Sequence, residues 1–138
     1  MKHRALFTVL ILLIVPMFAL SLQAEERPFK ITAENKKAAT CKKDGVRLSI
    51  KPTGVFKINM EYPWKVTVKG DSTLSFAKDT LRKTDAVTFK ETLAEFDVCY
   101  APSAGASAKG KIEMLVKFSV CEKKRCLMFR EPVTYEIK

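Results

Sequence analysis

Two cysteines near the end of the chain, Cys121 and Cys126, enclose the run Glu122-Lys123-Lys124-Arg125. Neighbouring cations favour thiolate over thiol, and thiolate is the form that attacks disulfides. Lys123, Lys124 and Arg125 thus give Cys126 a setting suited to thiol-disulfide exchange with Cys121 as its partner. The bland reading is a structural clip on a hairpin, and Cys-x4-Cys is not a strong motif in itself. Cys41 and Cys99 bring the count to four. In an oxidising compartment an even count points to disulfides, with three possible pairings. The only histidine is His3, inside the apolar leader described below. The rest of the chain therefore lacks the side chain needed for Cys–His or Ser–His–Asp catalysis, or for an imidazole-ligated metal. The cysteine spacing does not fit a zinc knuckle. Met60, Met114 and Met128 offer soft ligands for copper, but Met60 and Met114 fall on apolar faces and read as core. The chemistry left is sulfur exchange, which needs no cofactor.

The elements that must position these sulfurs alternate with period two. Val46, Leu48 and Ile50 alternate with Arg47, Ser49 and Lys51, the pattern of a half-buried strand. Pro52-Thr53-Gly54 turns the chain. Phe56, Ile58 and Met60 predict a second strand, broken at Pro63. Trp64, Val66 and Val68 predict a third, ended by Gly70-Asp71. Leu74 and Phe76 suggest a short strand, Lys78 to Ala86 a loop, and Val87 to Phe89 another strand. Phe96, Val98 and Tyr100 alternate with Asp97 and Cys99. Ala101 to Gly110 is a connection rich in Ala, Ser and Gly. Short strands separated by turn signals, with no amphipathic helix, predict an all-β antiparallel sandwich.

The last two strands fix the sulfur geometry. Ile112, Met114, Val116, Phe118 and Val120 share one face. Leu127, Phe129, Val133, Tyr135 and Ile137 share one face of the returning strand. Setting Cys121 opposite Cys126 brings Val120 to Leu127, Phe118 to Phe129, Met114 to Val133 and Ile112 to Tyr135. Apolar residues then meet across nearly every rung, which is what stabilises a sheet. The exception is Val116 against Glu131, where Pro132 suggests a bulge or an edge. In this register the two cysteines face outward at the hairpin mouth, with Cα atoms about 4.5–5.5 Å apart, within disulfide reach. Cys41 would then pair with Cys99. Closing that loop should stabilise the fold by roughly 4 kcal/mol, against roughly 2 kcal/mol at most for the short loop. The long pair is the better structural staple; a short, exposed pair held by strand geometry is the kind that exchanges.

The chain opens with Lys2 and Arg4, followed by an apolar run from Ala5 to Leu22. A basic stretch leading into such a run predicts a signal peptide at residues 1–24, with cleavage after Ala24 or Ser21. An uncleaved anchor is the alternative, since the run is just long enough to span a bilayer. On this reading no membrane span remains after cleavage. Of 138 residues, 114 are then left, enough for one core. Of the 25 Lys and Arg, 23 remain against 15 Asp and Glu, a net charge of +8. Residues 25–44 read as a polar lead-in with one edge strand around Phe29 to Ala33, and residues 45–138 as the domain. The basic residues recur at period two and read mainly as solvated strand faces; nucleic-acid binding is not expected.

From Gly45 to Ile137 the chain resembles the N-terminal domain of the thiol:disulfide interchange protein DsbD, the disulfide bond corrector domain family. Three features carry the resemblance. The first is Gly54-Val55-Phe56-Lys57-Ile58-Asn59 followed by Tyr62-Pro63-Trp64-Lys65. The second is the Ala/Gly-rich connection from Ser103 to Gly110. The third is Val116-Lys117-Phe118-Ser119-Val120-Cys121, leading through the basic loop to Cys126-Leu127 and a closing strand. The resemblance implies an immunoglobulin-like sandwich in the periplasm. It also implies that Cys126 attacks a partner disulfide and Cys121 resolves it. Phe89 is the candidate for the family's cap over the cysteines, and Cys41 and Cys99 are additional to the family pattern. The partner implied is a thioredoxin-like redox protein, periplasmic or membrane-bound, that supplies or takes the electrons. The competing expectation is a secreted, non-catalytic binding or scaffold module whose disulfides are both structural.

Overall fold

A computed structural model describes residues 26–36, 40–42, 44–107 and 109–138. The predicted signal segment lies outside them. Ten strands and a single 3-10 turn make up the described chain: β1 (Phe29–Asn35), β2 (Asp44–Pro52), β3 (Lys57–Ile58), β4 (Lys65–Gly70), β5 (Leu74–Phe76), β6 (Thr80–Arg82), the turn Lys83–Asp85, β7 (Thr88–Lys90), β8 (Leu93–Pro102), β9 (Gly110–Cys121) and β10 (Cys126–Ile137). They form two antiparallel sheets. Sheet A runs β1-β2-β8-β5, with β7 also on β8; sheet B runs β10-β9-β4-β6, with β3 also on β9. The molecule is the all-β antiparallel sandwich that the period-two pattern requires.

The alternating residues meet between the sheets. Val46, Leu48, Ile50, Phe96 and Val98 from sheet A are buried against Val66, Ile112, Val116, Phe118 and Val120 from sheet B. Trp64 is the centrepiece. It is 1% exposed, packs against Phe118 with ring centroids 5.4 Å apart and meets Phe89 edge-on at 5.2 Å. Its indole N–H, which would be costly to bury unpaired, donates to the Asn59 carbonyl at 3.1 Å. Phe29 on β1 closes the other end, meeting Phe118 at 4.7 Å and Phe129 at 4.6 Å. Phe29 also shows why β1 belongs to the sandwich: it pairs with β2 along its length, from Phe29–Pro52 to Asn35–Val46.

Two expectations are corrected. The strand from Phe56 to Met60 shortens to Lys57–Ile58. Asn59 ends it: its side-chain oxygen accepts the Glu61 N–H at 3.0 Å, an Asx turn that bends the chain away. The predicted loop at Lys78 to Ala86 contains β6 and the 3-10 turn. Only Leu81 of β6 points inward, so a strand this short leaves no alternation to read. Asp85 organises the turn, accepting the Arg82 N–H at 2.9 Å and pairing with Lys78.

On the outside of sheet A, Asp97 is buried although polar. Arg47 reaches it from β2 with two hydrogen bonds, at 2.8 and 3.0 Å, and the Thr40 hydroxyl donates to it at 2.6 Å. Burial pushes the Asp97 carboxyl up, but the Arg47 hydrogen bonds, helped by Thr40, outweigh it and hold the group below the ordinary carboxylate value. The folded state therefore binds a proton at Asp97 less readily than the unfolded chain. The resulting stabilisation is present above about pH 4, the unfolded value, and is lost as pH falls through the folded value. Asp97→Ala, which strands Arg47, should cost roughly 2–3 kcal/mol at neutral pH, and this difference should shrink in urea titrations run at progressively lower pH. Phe118→Ala, which empties the centre of the aromatic cluster, should cost about 3–5 kcal/mol in the same assay.

Candidate functional site

The register of β9 and β10 runs without a break from Cys126–Cys121 to Ile137–Gly110. It contains each apolar rung read from the sequence, including Val120–Leu127, Phe118–Phe129 and Ile112–Tyr135. No bulge forms at Pro132. β10 is the edge strand of its sheet, so of the two readings of Pro132 the edge is the one realised. The mismatch of Val116 with Glu131 is resolved from outside the hairpin: Arg27 pairs with Glu131 at 3.1 Å and lies over the Phe29 ring.

Cys121 and Cys126 are bonded, with Cα atoms 4.0 Å apart. The next rung explains the closeness. The Glu122 N–H donates to the Arg125 carbonyl at 2.9 Å, which makes Glu122–Arg125 a hydrogen-bonded rung and Cys121–Cys126 the adjacent non-bonded one. Non-bonded rungs bring Cα atoms closer. Cys126 is exposed and Cys121 half-buried. Cys41 and Cys99 form the other disulfide, with Cα atoms 5.3 Å apart and a sequence separation of 58. It ties the segment before β2 to the outer face of β8, beside the Thr40–Asp97 hydrogen bond.

The basic loop is wholly at the surface. Lys123 and Lys124 are exposed at the tip, and Arg125 pairs back to Glu122 at 2.8 Å. Part of the loop's positive charge is thus neutralised locally. A further cation, not picked out by sequence reasoning, stands across the other side of Cys121. Lys57 on β3 is its register partner, on the same outward face, and is held by Glu91 at 2.7 Å. The signal was there: Lys57 alternates with buried Ile58. That β3 would dock beside Cys121 depended on a pairing between distant segments. Phe89 lies on β7 with its ring edge-on to Trp64 and Lys83 over its face. The hairpin that carries it reaches the cysteine region through Glu91, whose carbonyl accepts the Ile58 N–H at 2.8 Å.

Beside Cys126, Met128 is 72% exposed, and a depression of about 460 Å³ opens there, lined by the apolar Pro28, Phe56, Leu127, Met128 and Phe129 and rimmed by the charged Glu26, Arg27 and Arg125. Among the described residues, no group of three or more His, Cys, Asp or Glu side chains is placed to hold a metal, and no helix is long and apolar enough to cross a membrane.

Fold and site together define an all-β sandwich with one half-buried disulfide on the outer face of sheet A and one at an exposed hairpin mouth. Comparison with family models, with curated proteins and with solved structures gives no match to this chain.

The two disulfides should differ in their effect on the fold. Opening Cys41–Cys99 by a double Ser substitution should destabilise by roughly 4 kcal/mol, and opening Cys121–Cys126 by no more than about 2 kcal/mol. Guanidinium unfolding of the two double variants checks this.

Proposed function

We propose that this protein is an exported thiol-disulfide exchange module of the DsbD N-terminal-domain type, working in the periplasm with a thioredoxin-like partner. The observation that carries the reading is the placement of the Cys121–Cys126 disulfide. It spans two neighbouring strands, faces outward, exposes Cys126, and closes a loop too short to add much to stability. A disulfide so placed costs the fold little to open and is open to an attacking thiolate. The depression at Phe56, Leu127, Met128 and Phe129, edged by Glu26, Arg27 and Arg125, gives a partner's cysteine-bearing segment a surface to rest on.

The exchange runs as follows. With the pair reduced, the Cys126 thiolate attacks a disulfide sulfur of the partner. A mixed disulfide forms as the partner's other sulfur leaves as thiolate. Cys121, deprotonated in turn, attacks Cys126, releasing the reduced partner and restoring the Cys121–Cys126 bond. Two electrons pass to the partner and no cofactor takes part. Lys123 and Lys124, with the partly neutralised Arg125, favour the thiolate that starts the sequence. Run backwards, the same steps reduce this protein. The Cys41–Cys99 pair stays closed throughout.

In this scheme Cys121→Ser should accumulate a mixed disulfide with a thioredoxin-like protein through Cys126, seen on non-reducing gels. Cys126→Ser should not. The reduction potential of the short pair should lie in the exchanging range, above about −300 mV. A lower potential, with all four cysteines fully oxidised in thiol labelling of freshly lysed cells, would sink the proposal and leave a binding module with two structural disulfides.

A further inference from the structure

The outer face of sheet B carries a second feature, independent of the sulfurs. Lys65 on β4 is the register partner of Arg82 on β6 and of Lys117 on β9. Lys117 is in turn the partner of Arg130 on β10. Four cations therefore stand in one cross-strand row over the full width of the sheet. All four point outward, since their neighbours Val66, Leu81 and Val116 are buried inward and Phe129 packs against the core. Strands lie about 4.8 Å apart, so the row is about 14 Å long.

Like charges directly opposite one another destabilise a sheet. Here they are repeated three times, and none of the four forms an ion pair with a described residue; Asp85 offsets only the charge of Arg82, at the end of the row. Lys65 and Lys117 are also half-buried, which raises the cost. A depression of about 460 Å³ opens beside the row and runs along the strands, with Lys65, Lys117 and Arg130 at one end, Leu115 and Pro132 next to them and Lys69 farther along; Arg82 lies outside it. The one acidic residue in its lining, Glu113, is held by Lys111 at 3.0 Å.

We propose that this row is a docking site for an extended acidic segment of a protein partner, lying across the strands. In an extended segment, side chains on one face recur about every 6.8 Å, so carboxylates at alternate positions i, i+2 and i+4 span about 14 Å, the length of the row. Leu115 and Pro132, on the rung beside the charges, supply apolar contact to one flank of the segment. Single-stranded nucleic acid is a poorer fit, because it uses aromatic platforms for its bases. The rungs flanking the row hold Thr67, Thr80, Leu115 and Pro132 on one side, and Ser119 and Met128 on the other.

The test uses the full protein with both disulfides closed and a fluorescein-labelled peptide of alternating Glu and Thr, followed by anisotropy. Saturable binding should weaken about tenfold in Lys65→Gln/Lys117→Gln. It should change by less than about twofold in Lys30→Gln/Lys51→Gln, an exposed cross-strand lysine pair on sheet A that removes the same charge. The Lys65→Gln/Lys117→Gln protein should melt at or above the parent's midpoint, because repulsion is relieved. Equal losses in the two variants would show net charge acting in place of the row, and would overturn the proposal. So would a lowered melting midpoint, absence of peptide binding, or tighter binding of oligothymidylate or anionic vesicles than of the peptide.

Discussion

The antiparallel register of β9 and β10 is the constraint on which the site depends. Side chains alternate strictly along a strand, so slipping the pair by one residue would turn Leu127, Phe129 and Val133 out to water and bring Met128 and Arg130 in against Phe118 and Trp64. The aromatic contacts of Phe129 with Phe118 and Phe29 oppose that slip. The position of Cys126 relative to Cys121 is thus set by apolar packing several rungs away. The sulfurs are held in place by the core, and the bond between them has little left to stabilise.

This division of labour extends to the other disulfide. Cys41–Cys99 lies next to the Arg47–Asp97 pair and the Thr40 hydroxyl. A covalent link at Cys41 and a hydrogen bond at Thr40 therefore anchor the connection before β2 to a face of β8 that the Arg47–Asp97 charge pair already ties to β2. That connection has few apolar residues to bury, so it is fixed by specific bonds. The C-terminal hairpin has apolar residues on nearly every inward position and needs no such help. One sulfur pair substitutes for a core where there is none; the other rests on a core already complete.

Much of this was legible in the sequence because it is local. The rungs of a hairpin follow from two neighbouring segments and a loop, so alternation at Ile112 to Val120 and Leu127 to Ile137 was enough to place Cys121 opposite Cys126. What escaped was non-local or too brief. β6 has three residues and one inward side chain. β3 has two residues, and its docking beside Cys121 depends on a pairing across more than half the domain. In sequence the four cations look like separate solvated faces, since Lys65, Arg82, Lys117 and Arg130 come from four strands and only the strand order aligns them. The need for Glu131 to find a partner was visible as a mismatched rung, but nothing local pointed to Arg27.

Pro132 has a consequence for solubility. Counting alternate rungs from the non-bonded pair at Cys126 puts Pro132, opposite Leu115, at a position whose N–H would point away from β9. The ring therefore removes no bond from the sheet. It does remove a donor from the middle of the exposed border of the molecule. A second molecule approaching to extend the sheet finds the hydrogen-bonding template interrupted there, beside a cationic Arg130. Natural β proteins protect open borders with such residues, and a Pro132→Val protein would present a longer uninterrupted template for self-association.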